Sequence, residues 1–156
     1  MYQRLSASEN WVPLLLRIGV GLTFFLAGLG KVMGGVGGFA GFLGSLGVPM
    51  AGVAGPFVAY LELFGGLLLL AGLLVRPISA LLVFNMLVAM LLVTVPGWLG
   101  AENGLAGGFG QTRAELLLAL SCAARVLTGA GAYSLDAVLF GRRSQDERSA
   151  LGSPAR

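Results

Sequence analysis

Residues 53–75 read VAGPFVAYLELFGGLLLLAGLLV, and Glu62 is the one charged side chain among them. The run is as long as the roughly 20 apolar residues that cross the hydrocarbon core of a bilayer. Backbone groups in lipid must bond internally, which leaves a helix or a closed barrel. A barrel strand alternates apolar and polar positions. Leu67–Leu70 does not alternate, so the run reads as a helix. On either side of it lie similar segments at 11–33 and 77–98, and a shorter one at 113–128. The whole chain of 156 residues is 56% hydrophobic and 11% charged, against about 25% charged in a soluble domain. So little charge cannot cover a water-facing surface. The expected fold is all-α, an integral membrane antiparallel four-helix bundle in a single domain over 1–141, with a polar, mobile tail over 142–156.

The connections differ in kind. Leu74-Val75-Arg76-Pro77 reads as a tight turn, with Pro77 suited to a first helical position. The loop 34–52 is glycine-rich, yet Phe39, Phe42, Leu43 and Leu46 follow a helical period. They predict a short interfacial or re-entrant helix ending at Gly47-Val48-Pro49. The loop 97–111 is also glycine-rich and is expected to be irregular. After Gly129-Ala130-Gly131, Ser134 is placed to cap a short helix over 135–140. The first segment is too long for a signal-peptide core and reads as retained. Lys and Arg gather at one set of flanks (Arg4, Arg76, Arg142, Arg143, Arg148, Arg156), while Lys31 and Arg113 at the other are offset by acidic neighbours. This bias predicts both termini in the cytoplasm. Small residues let membrane helices approach closely, the expected use of Gly19, Gly21, Gly28, Gly30, Gly65, Gly66 and Gly72.

Several chemistries are excluded by composition. There is no histidine and one cysteine, Cys122. An internal disulfide is ruled out, as are histidine-ligated haem or copper and haem attached through paired cysteines. No metal site and no covalently bound cofactor are expected. The net charge of +3 comes from scattered bases, which form no nucleic-acid stripe. Gly28-Leu29-Gly30-Lys31 lacks the Ser or Thr of a phosphate loop and lies inside a membrane helix.

The informative residues are the polar ones at membrane depth, because each demands a partner or a function. At ~1.5 Å rise per residue, Glu62 lies about 15 Å below the outer surface, near mid-bilayer. Asn85 falls at a similar level in the third segment, and Arg17 lies about two turns inside the first. Arg17 either snorkels or turns toward Glu62. Glu62, Asn85 and Arg17 thus form a candidate ligand-binding or buried polar cluster. Lys31 and Glu115 both fall at outer helix ends, where they are candidates for an ion pair. Arg125 is expected to snorkel, and Cys122 to be a small buried residue. Whether Glu62 serves a pocket or a structural hydrogen bond stays open at this level.

In order along the chain stand Arg17-Ile18-Gly19, Phe24-Phe25, Gly28-Leu29-Gly30-Lys31, Leu46-Gly47-Val48-Pro49, Glu62-Leu63-Phe64-Gly65-Gly66, Arg76-Pro77, Glu115-Leu116 and Leu127-Thr128-Gly129, then Tyr133-Ser134-Leu135-Asp136. This series resembles the DoxX family of small four-helix membrane proteins over roughly 14–139. The resemblance implies a multi-pass protein of the bacterial cytoplasmic (inner) membrane, associated with redox metabolism, including quinone-linked sulfur oxidation. It also implies recurrent polar positions at Arg17, Lys31, Glu62 and Glu115. Two features depart from the pattern: Val93-Thr94-Val95-Pro96 lacks a histidine that many members carry there, and Ala130 replaces a proline. The functional expectation is an accessory or anchoring subunit of a redox or respiratory assembly, with a lipid or quinone pocket near Glu62. Its partners would be the bilayer, membrane or redox proteins and copies of itself, and it would not be an enzyme when acting alone. The alternatives are a purely structural packing subunit of a larger membrane complex and a small transporter or lipid-binding protein.

Overall fold

The computed structural model describes residues 5–94, 104–129, 131 and 134–136. These residues form helices and turns, with no strand among them. Helix α1 is Leu5–Met33 and α2 is Val36–Ser45. Helix α3 is Ala51–Ala71, and α4 is Val75–Ala89, running on as a π-helical turn over Met90–Thr94. Helix α5 is Gly104–Thr128. Trp11–Met33, Ala51–Ala71 and Val75–Leu92 are each long and apolar enough to cross a membrane. The exterior agrees: Leu15, Phe57, Phe64, Phe84 and Leu117 are all more than half exposed. An apolar surface this broad suits lipid and would aggregate in water.

Helices α1 and α3 make the tightest contact, and glycine sets it. A Cβ on Gly66 would lie 2.7 Å from the Gly21 carbonyl oxygen, and one on Gly28 would lie 2.7 Å from Leu63 Cα. The two helices therefore run antiparallel, with Gly28 opposite Ala59 and Leu63, and Gly21 opposite Gly66 and Leu70. Gly19 and Gly30, expected to serve the same purpose, face open space. Helix α3 then packs on α4, with Gly65 against Ile78 and Leu82. Val20, Phe24, Leu69, Val75, Leu82, Met86, Ala119 and Cys122 form one buried core drawn from α1, α3, α4 and α5.

The α3–α4 turn is closed from outside. Gly72 takes a left-handed conformation (φ 74°) that ends α3, and Leu74 is left-handed as well (φ 51°). The carboxylate of Asp136 accepts from Leu74 N (2.9 Å) and Val75 N (3.1 Å), while Asp136 N donates to Gly72 O (3.0 Å). Helix α4 thus gets its N-terminal cap from a residue some sixty positions away. Pro77 stands at the third position of α4, not the first. It is tolerated there because the first N–H groups of a helix have no internal partner.

Two further expectations change. Helix α5 begins at Gly104, not 113, so the part of the loop 97–111 that the structure describes is helical. Glycine weakens helix propensity, which hid this start in Gly104-Leu105-Ala106-Gly107-Gly108. Ser134 Oγ donates to Gly131 O (2.8 Å). Most of the helix expected over 135–140, the end of the third segment beyond 94 and the tail 142–156 lie outside the described residues.

Candidate functional site

Glu62 sits midway along α3 and is 3% exposed. A buried carboxylate is tolerable only when paired and hydrogen-bonded. Both of its oxygens are engaged. Lys31 Nζ of α1 donates to Oε2 and forms an ion pair with it, and Asn85 Nδ2 of α4 donates to Oε1 at 3.1 Å. One carboxylate thereby links three helices. Lys31 follows Gly28 by three residues and lies on the same helical face, the one pressed against α3. The register that sets Gly28 against Leu63 brings Lys31 to Glu62.

This corrects two expectations. Lys31 pairs with Glu62 and not with Glu115. Arg17 does not approach Glu62: the same register places it beside Gly72 and Ser134, at the other end of the helices. Glu62 and Asn85 do come together.

The Lys31–Glu62–Asn85 chain borders a cavity of about 270 Å³. Its walls come from α1, α2, α3, α4 and α5. Phe39, Phe42 and Leu43 of α2 form one apolar side, Val58 and Met86 another. Lys31 Nζ lies 5.2 Å from the centroid of the Phe39 ring, and Phe39 stacks on Phe42 at 6.3 Å. The cation is thus held between an aromatic face and a carboxylate. Glu115 of α5 lines the same cavity, and its buried Oε2 makes no hydrogen bond. The π-helical turn starts immediately after Ala89, and Ala89 and Leu92 both border the space. Such turns recur at functional sites because the added residue displaces the helix wall. An apolar slot with a few convergent polar groups is suited to a small molecule having one polar end.

The opposite end is organised differently. Arg17 and Arg125 are 6% and 1% exposed. Arg125 does not snorkel; it donates to the Pro13 carbonyl oxygen, and Gly131 folds against the Pro13 ring. Arg17 lies in the field of Asp136. The sequence alone assigns neither the burial of Arg125 nor the capping contacts of Asp136. A signal for the burial of Arg125 exists in its spacing from Cys122, three residues on along the inward face of α5.

A family model described as DoxX matches residues 12–95. The matched stretch holds Arg17, Lys31, Glu62 and Asn85, and ends before Glu115. No curated protein and no solved structure matches the chain.

Proposed function

The chain belongs to the DoxX family, and from that membership we propose that it is an accessory or anchoring subunit of a quinone-linked redox assembly, holding the head of a quinone or lipid beside Glu62. In this reading α1, α3, α4 and α5 form an antiparallel four-helix bundle across the bacterial cytoplasmic membrane. Both termini face the cytoplasm, and α2 lies at the outer interface as one wall of the cavity. The single observation that carries the reading is the cavity of about 270 Å³ with the Lys31–Glu62–Asn85 chain at its border. A ring or acyl tail suits the apolar walls, and a polar head suits the charged border. With no histidine and one cysteine, the chain has few groups to hold a redox metal. Electrons would then pass through the bound quinone or a partner protein.

The test is binding of a decyl-quinone to the detergent-purified protein, followed by titration calorimetry. Glu62→Gln should weaken binding by about tenfold or more, because it removes the charge that positions Lys31 and Asn85. Unchanged binding in this variant would overturn the reading. A second reading is favoured by the engagement of both Glu62 oxygens: a purely structural tie between α1, α3 and α4. In that case no ligand binds, and Glu62→Gln only lowers the melting temperature.

A further inference from the structure

Lys31 and Glu62 neutralise one another at the border of the cavity, and Asn85 Nδ2 is committed to Glu62. Glu115 has no such match. It lines the same space from α5, its Oε2 is buried, and that oxygen has no hydrogen-bond partner. A buried acceptor left unmet is unfavourable, and more so when it carries charge. Lys31, by contrast, has three protons and gives one to Glu62. The cavity therefore presents one surplus acceptor and a cation with donors to spare.

We infer that Glu115 is a second recognition group of this cavity and selects an amphiphile whose head is a hydroxyl. This rests on the reading of the cavity as an amphiphile site and narrows its ligand class. A hydroxyl both donates and accepts, so it can donate a hydrogen bond to Glu115 and accept one from Lys31. A carbonyl or an ether accepts only, and leaves Glu115 unmet. A carboxylate or phosphate head adds negative charge beside a carboxylate that is already unbalanced. The apolar walls, with Phe39, Phe42 and Met86, suit a ring bearing an alkyl chain. The space exceeds the roughly 150 Å³ that holds a benzene molecule in an engineered cavity. A quinol would satisfy both Glu115 and Lys31 and a quinone only Lys31, so the site would bind both forms of such a carrier and favour the reduced one.

The experiment compares 4-decylphenol with its methyl ether, which replaces the donor hydrogen by a methyl group. Both are titrated into the full-length protein in detergent and measured by calorimetry. The parent should bind the phenol about ten- to a hundredfold more tightly than the ether, the usual value of a hydrogen bond to a charged group. Glu115→Leu should bring the phenol down to the ether's affinity and leave the ether unchanged, with an unaltered or higher melting temperature confirming a folded protein. Glu115→Gln, which keeps a neutral acceptor, should retain part of the preference. Equal binding of the two probes by the parent, or a preference that survives in Glu115→Leu, would overturn the inference while leaving the amphiphile site standing. Absence of binding by both probes would overturn the site and the inference together.

Discussion

Both ends of this helical body bury ionisable side chains, but they arrange them in opposite ways. At the α2 end, Lys31, Glu62 and Glu115 border an open space. At the Gly72 end, Arg125 and Asp136 are packed onto the chain's own backbone: Arg125 on Pro13 O, Asp136 on Leu74 N and Val75 N. A charge that closes onto backbone fastens one piece of chain to another. A charge that borders a void keeps some capacity for another molecule. Depth in the membrane therefore does not by itself separate architecture from recognition; the presence of space beside the group does.

The largest expected effect falls on what the two ends share. Gly66→Ala would drive a Cβ into the Gly21 carbonyl and the Phe25 backbone, so α1 and α3 must separate. A loss of about 3 kcal/mol is expected, the upper range for overpacking, read as a lower melting temperature in detergent together with loss of ligand binding. Gly30→Ala, where the added methyl meets nothing, should leave both unchanged. If the two variants behaved alike, the register that defines both ends would be wrong.

Asp136→Ala sharpens the contrast. It strips the cap from α4 and removes a carboxylate whose field reaches Arg17. Stability should fall by about 2 kcal/mol, as for loss of a strong helix cap, while affinity at the cavity stays within twofold of the parent, since distant sites act independently. A parallel loss of binding would show that the ends are one unit. The smallest effect belongs to Phe39→Leu, which keeps the apolar wall and removes the aromatic face under Lys31. The expected cost is about 0.5–1 kcal/mol, seen as a few-fold weaker binding with little change in melting temperature.

Much of this was legible in the sequence. Long apolar runs announce the spans, because lipid demands internally bonded helices of a set length. The period of Phe39, Phe42 and Leu43 marks α2, and the depth of Glu62 and Asn85 singles out the pair that the structure joins. The partner of Glu62 was not legible. It depends on the α1–α3 register, set by Gly28 and Gly66, and small residues mark a close approach without saying which residue faces which. The choice for Arg17 between the surface and Glu62 turns on the same register. The role of Asp136 was out of reach because the amides it receives lie in a turn far upstream, and no local pattern links them.

That clasp has a consequence for how the protein is made. Leu74 N and Val75 N are left without the carboxylate that receives them until translation has passed position 136. The hairpin of α3 and α4 is therefore synthesised before the residue that caps its turn. The last described segment of the polypeptide is the bolt on the earlier pair, so a nascent chain that stops short of position 136 holds the hairpin without its fastening.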